Sequence, residues 1–188
     1  MAGAASGGAE VFFADLVAAL HRAGLEQRVA IRSHAARADA LEGVGLNPIE
    51  LPFGGLLDWR TRSTLKSAFQ EWKPDIVQTW MSRASRHCPA GSFVHVGWLG
   101  GYYNPKYFQR CDHSVGVTPD IVRFLRENGG WAVARSHYLP TFAPKQQAGP
   151  VSRDLLETPP DVPLIVALGR LHPKKAFDIL LQAMVQIP

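Results

Sequence analysis

Apolar positions along this chain switch repeatedly between a spacing of about 3.6 residues and a spacing of about 2, the signature of helices alternating with strands. Over residues 10–23, Val11, Phe12, Leu16, Val17 and Leu20 recur at helical spacing, and Gly24 stops the run. Residues 28–33 read as a short strand, 38–43 as a short helix and 48–51 as a second strand. Asp58 caps a long amphipathic stretch that reaches Trp72, where Lys73-Pro74 breaks it. Residues 75–80 then form a buried strand, and 92–96 and 113–117 repeat that type. Thr118-Pro119-Asp120 opens a helix that runs to Glu127 and ends at Asn128-Gly129-Gly130. This order predicts an α/β fold: a Rossmann-like parallel sheet flanked by helices.

The pattern changes after Pro140. Pro140, Pro144, Pro150, Pro159, Pro160 and Pro163 fall in one stretch with Lys145, Gln146 and Gln147, which reads as a linker. The expected division is therefore a domain over 1–142, a linker over 143–162 and the start of a second domain over 163–188. That last piece is one strand, 164–168, a turn at Gly169-Arg170 and a helix from about Phe177. A lone strand, turn and helix cannot bury its own apolar faces. At the front, Ser6-Gly7-Gly8 sits where a strand should feed a glycine turn into a helix, with almost no residues before it. Both ends are expected to be cut.

Composition narrows the function. The chain has 188 residues, 46% hydrophobic and 19% charged, as a water-soluble globular protein would. No apolar run approaches the roughly 20 residues of a membrane span, and Met1 to Gly8 has no secretory pattern, so a cytoplasmic location is expected. Net charge is +4 and the pI about 9.3, but the arginines are scattered and no nucleic-acid motif accompanies them, so no nucleic-acid partner is expected. A modest positive surface suits anionic substrates or weak contact with an anionic membrane. His87-Cys88 and Cys111-Asp112-His113 lack the tight ligand pairs of zinc sites, so no metal is expected and the two cysteines read as buried thiols.

Three places carry candidate chemistry. Gly7-Gly8-Ala9-Glu10 lies at a helix start, where glycines admit a ligand close to the backbone and free amides favour an anion; ordinary turn chemistry explains the same pair. A strand runs into the loop His95-Val96-Gly97-Trp98-Leu99-Gly100-Gly101-Tyr102-Tyr103, placing His95 near the strand's carboxyl end, where open α/β sheets bind ligands. There His95 would bond a hydroxyl or phosphate and the tyrosines would form a sugar platform, or else both pack under a loop. Gly169-Arg170-Leu171-His172-Pro173-Lys174-Lys175 presents Arg170 and Lys175 at a helix mouth, a pair suited to a diphosphate unless both are solvated loop charges.

Taken in order, these segments resemble the retaining glycosyltransferases of family 4, which have two facing Rossmann-like domains (the GT-B architecture). Gly7-Gly8-Ala9-Glu10 is similar to the family's N-terminal GGAE loop, and Lys73-Pro74-Asp75-Ile76-Val77 to its KPDIV strand entry. His95-Val96-Gly97 is similar to its strand-end histidine, and Cys111 to Thr118 to its segment beginning CD, with Thr118 in place of serine. Gly169 to Lys175 resembles the opening of its donor domain, except that Ala176 stands where a glycine usually follows the lysine. The family's later pair of glutamates, which hold ribose and sugar, lies beyond Pro188.

The resemblance implies a sugar moved from a nucleotide-sugar donor to a hydroxyl of a glycan or glycolipid acceptor, with retention, in bacterial envelope or lipopolysaccharide synthesis. It implies substrate contacts for Gly7, Gly8, Glu10, Gly97 and Tyr102, and catalytic roles for His95, Arg170 and Lys175. No cofactor and no metal are implied, because the two cations would meet the diphosphate charge. The stretch present is expected to be inactive alone. The rivals are a sugar-nucleotide epimerase of the same architecture and a non-catalytic Rossmann-like binding module.

Overall fold

The computed structural model describes residues 1–5, 7–55, 57–142, 149 and 151–187. Two compact units form, Met1–Pro144 and Lys145–Pro188. Ser6 of the expected turn, and Pro144, Lys145, Gln146, Gln147 and Pro150 of the expected linker, lie outside the described residues.

In the first unit, helices α1 (Gly8–Arg22), α2 (Ala35–Glu42), α3 (Trp59–Trp72), α4 (Met81–His87) and α5 (Pro119–Gly129) alternate with strands β1 (Ala30–Arg32), β2 (Ile49–Leu51), β3 (Ile76–Trp80), β4 (Val94–Leu99), β5 (His113–Gly116) and β6 (Ser136–Tyr138). All pairings are parallel, as the alternation predicts: β1 with β2, and β3-β4-β5-β6 in that order. Asp58 caps α3 by accepting from the Thr61 amide at 3.0 Å, and Thr118 caps α5 through the Ile121 amide at 3.1 Å. Three bonds to Asp58, from the Thr61 hydroxyl and the Thr61 and Gly54 amides, hold its carboxyl down at about 2. Helix α4 and strand β6 are absent from the sequence-based reading. α4 is short and has almost no apolar stripe, and β6 is only three residues, ending two before Pro140.

Residues cover the two sheet faces by alternation. Trp80 and Trp98, opposite each other on β3 and β4, face α1 and pack on Phe12, Phe13, Ile31 and Leu41. The opposite face presents Thr79, Gly97, Ser114 and Ser136 in one row across four strands. Against it and its neighbours pack Leu99, Phe108, Cys111, Ile121, Leu125 and Trp131. No backbone bond joins β1 or β2 to β3 among the described residues. Instead, Met1 lies along β1: its amine donates to the Ala30 carbonyl at 2.6 Å and its carbonyl accepts from the Arg32 amide at 2.8 Å. Burial, then the nearby Arg37 guanidinium, push that amine down to about 5.

A polar knot fills the amino half of β4. His95, 5% exposed, meets the Thr79 hydroxyl through Nε2 at 2.9 Å, and Thr79 meets Ser85 Oγ at 2.9 Å. The His95 amide donates to Asp112 Oδ2 at 2.8 Å, and the Asp112 amide donates back to the His95 carbonyl at 2.7 Å. Cys111 Sγ lies 3.6 Å from His95 Nε2. Burial pushes the thiols of Cys88 and Cys111 up to about 12, so both are neutral. Burial also lowers the pKa of His95 against the opposing pull of the Arg110 carbonyl and Asp112.

In the second unit the expected strand over 164–168 does not form. A strand needs a neighbour for its backbone groups, and none is present among the described residues. Ile165, Val166 and Leu168 are exposed. The expected helix does form, as α6 (Phe177–Met184), entered from a 3₁₀ turn at Pro173–Lys175. Ala176 joins the two with φ of +52°, a left-handed conformation that crowds a Cβ. This explains physically why a glycine suits that position.

Two outcomes follow from these features. Ala176→Gly is expected to stabilise the turn into α6 by about 0.5–1 kcal/mol, seen as two- to fivefold slower amide exchange in α6. Two bases, Met1 and His95, are held with lowered pKa values, so the unfolded chain binds more protons than the folded one below pH 8. In the 188-residue chain the contribution of these two bases is therefore full above pH 8 and falls on acidification toward pH 5, at no more than ~1.4 kcal/mol per pH unit for each base. Urea midpoints across that range check it. His95→Gln should flatten the part of the slope below the ordinary histidine pKa and leave the Met1 part.

Candidate active site

The carboxyl ends of β1, β3 and β4 gather around the amino end of α1. Gly7 precedes the helix in extended backbone, and its carbonyl accepts the first two helical bonds, from the Glu10 and Val11 amides at 3.2 and 3.1 Å. The amides before these have no intrahelical acceptor, and the helix dipole adds positive potential at that end. Each of the three glycines in the segment has its own surroundings. A Cβ on Gly3 would collide with the Glu10 carboxylate and with Met81, and a Cβ on Gly7 would sit 2.5 Å from Glu10 Oε2. A Cβ on Gly8 would meet nothing within 4 Å. Packing thus explains Gly3 and Gly7, whereas Gly8 opens onto free space at a site of positive potential.

Two buried, opposite charges hold this segment in place. Glu10, 9% exposed, accepts from the Ala4 amide at 2.8 Å. Arg37, 6% exposed, donates to the Ala4 carbonyl at 2.6 Å and the Ala5 carbonyl at 3.3 Å. Burial lowers the Arg37 pKa and the Glu10 charge opposes that shift. Burial and then the Glu10 charge raise the Tyr103 pKa. Phe53, just past β2, and Met81, at the end of β3, take φ of +43° and +63°. Left-handed backbone at a residue with a side chain is strain held by the surroundings, and both cases fall at this edge.

Among the residues singled out from sequence, Gly7, Gly8 and Glu10 come together here. Glu10 faces inward to the backbone of the loop. Tyr102 stands at the same end of β4, 63% exposed, with its hydroxyl on Asp120 and its ring edge-on to Phe124 at 5.4 Å. Asp120 is also paired with Arg123. Tyr102 thereby pins the loop to α5.

Two placements are corrected. His95 is the second residue of β4 and lies near its amino end, because the strand runs to Leu99 and does not stop at 96. Gly97 is buried in mid-strand, where a Cβ would come within 2.8 Å of the Phe108 ring and 3.0 Å of Cys111 Sγ. His95 instead borders a cleft of about 170 Å³ with Cys88, Phe93, Arg110 and Asp112. Arg170 and Lys175 belong to the second unit, both exposed, with the Lys175 stem lying along Gly169. Among the described residues no group of three or more His, Cys, Asp or Glu is placed to hold a metal. Arg37 and Met81 escaped the sequence reading. The one available signal for Arg37 was its place four residues before Leu41, on the buried side of α2.

Comparison with known proteins bears on the family and the fold. Residues 6–144 match the model of Glycosyltransferase Family 4. The chain is 34% identical to the lipopolysaccharide core biosynthesis glycosyltransferase LpsD of Rhizobium meliloti (strain 1021), over 96% of this chain and 53% of LpsD. It is 30% identical to LpsE of the same organism, which carries the same description, over 97% of this chain and 54% of LpsE. The chain thus spans about half the length of the curated relatives it matches. A crystal structure of a glycosyltransferase from Rickettsia africae ESF-5 shares the fold, with a TM-score of 0.60 at 15% identity, over 74% of this chain and 41% of that one. No helix among the described residues is long and apolar enough to cross a membrane. With the family match taking in well over half of its residues, the chain belongs to glycosyltransferase family 4.

Proposed function

We propose that the protein carrying this chain transfers a sugar from a nucleotide-sugar donor to a glycan or glycolipid hydroxyl, with retention, during assembly of the lipopolysaccharide core. The carrying observation is the start of α1, where Gly8 leaves space at a positively polarised helix end while Gly7 is fixed by Glu10 beneath it. The names of the curated relatives support the lipopolysaccharide core as the setting. In this reading the open amides of the Gly7-Gly8 turn face the donor diphosphate or the acceptor, and Tyr102 borders the acceptor side. Arg170 and Lys175 meet the charge that grows on the departing nucleotide diphosphate, so no metal or cofactor is assigned to the reaction. Work on such an acceptor places the enzyme at the inner face of the cell membrane, bound peripherally. His95 receives no substrate contact in this reading; it holds β3 to β4 through Thr79.

Substitutions separate fold from function. Gly8→Ala is expected to leave the melting temperature unchanged and to weaken nucleoside diphosphate binding by about ten- to a hundredfold, since its methyl enters the ligand space. Gly7→Ala must displace the Glu10 carboxylate and should cost about 1–3 kcal/mol of stability. Calorimetric titration with UDP or GDP and thermal melts check both, and binding unaffected by Gly8→Ala would remove the site. In the protein extended to the span of its relatives, Arg170→Ala or Lys175→Ala should lower turnover roughly 30- to 1,000-fold with the fold intact. Nucleotide release measures that, and near-normal turnover in both would leave them as solvated loop charges. Interconversion of sugar nucleotides without transfer would favour an epimerase.

A further inference from the structure

Two histidines meet on the sheet at a place the transfer reading does not use. His113 opens β5, and His137 is the middle residue of β6. His137 stands opposite Val115, and Val115 opposite Trp98, so both histidines share the face of the sheet that carries α1. That face is open here: His113 is half-buried and His137 is exposed. His113 Nδ1 lies 3.0 Å from His137 Nε2, with the rings tilted by 35° and their centroids 5.2 Å apart. Among the described residues neither side chain has another hydrogen bond, and neither joins an ion pair. β6 is the outer strand of its four-stranded sheet, so the pair lies at an accessible margin.

We propose that His113 and His137 form a two-ligand site for a divalent transition metal, and that Cu²⁺ is the ion it fits best. Imidazole nitrogen serves copper, nickel and zinc alike, so geometry discriminates among them. Two nitrogens bound at about 2.1 Å sit about 3.0 Å apart when cis in a square or tetragonal sphere, and about 3.4 Å apart in a tetrahedral one. The spacing here is the cis one. Without an ion, one ring donates to the other. Binding needs the donor ring in its other tautomer, its proton passed through water to the far nitrogen, so that two lone pairs face the ion and no net proton is lost. Exposed His137 turns about its side-chain bonds to aim its lone pair, while the parallel ladder keeps the two backbones in register. Water fills the remaining positions. The ion then ties the short outer strand to β5 by a bond other than the ladder. His113 is at the amino end of β5, opposite the carboxyl edge where Gly7 and Gly8 lie, so the ion has no part in sugar transfer.

The test uses the untagged 188-residue chain with Cu²⁺, Ni²⁺ or Zn²⁺ alone, titrated in a buffer that does not bind metals. One equivalent of Cu²⁺ is expected, held roughly tenfold or more tighter than Zn²⁺, with couplings from two imidazole nitrogens in its electron paramagnetic resonance spectrum. His113→Asn and His137→Asn should each weaken Cu²⁺ binding about a hundredfold. His172→Asn, at an exposed histidine of the second unit, should leave it unchanged. Met1 is buried, so the amino terminus does not compete for the ion. Circular dichroism verifies folding, and because His137 is exposed, His137→Asn carries the test if His113→Asn fails to fold. At Cu²⁺ about ten times its Kd, amide exchange in β6, followed by mass spectrometry, should slow roughly tenfold. Copper binding that survives both substitutions, a spectrum with one imidazole nitrogen, unchanged exchange in β6, or zinc held tighter than copper would each overturn the proposal.

Discussion

Helix α1 is held against the sheet by aromatic packing, and nearly every other feature of the first unit depends on that contact. Phe12 stacks over Trp98 at 5.8 Å, Phe13 meets Trp80 edge-on at 5.2 Å, and the two tryptophans lie 4.4 Å apart on neighbouring strands. Replacing a buried phenylalanine of this kind by alanine costs about 3–5 kcal/mol in general. The same helix presents Gly7 and Gly8 at its first turn. A change in the core would thus move the backbone amides of the site, and displacement of reacting groups by about 1 Å can cost some hundredfold in rate.

The order of helices and strands was legible because parallel α/β folds write it as alternating periods. Asp58, Thr118, Gly24 and Gly130 mark their boundaries through capping and turn chemistry that acts within a few residues. What was not legible depended on contacts distant in sequence. His95 was expected at a strand's end, but the strand end is set by pairing with His113 to Gly116, which no local pattern displays. Gly97 had the look of a ligand glycine because nothing nearby in sequence shows the Phe108 ring filling the space beside it. The strand over 164–168 carries a good strand sequence, yet strand propensity becomes a strand only where a neighbour accepts its bonds.

At the site, the sequence displayed Gly7, Gly8 and Glu10 but not the division of labour among them. Glu10 acts through the backbone it holds, and Arg37, from another helix, grips the same few residues from the other side. Neither charge is spent on the open space in front of Gly8. The loop is thereby preset by buried interactions, and a ligand arriving there has little ordering left to do.

The break between the β1–β2 pair and the β3–β6 sheet carries a consequence of its own. Across most parallel sheets, ladders of hydrogen bonds bind neighbour to neighbour. Here the seam is spanned by Met1 on one side and, beyond it, by side chains such as Ile31, Phe12, Phe13 and Trp80. Apolar contact weakens on cooling, whereas a ladder is far less sensitive to temperature in that direction. Within residues 1–142, cooling accordingly weakens the contact of the β1–β2 pair with the β3–β6 sheet more than the pairing inside either sheet.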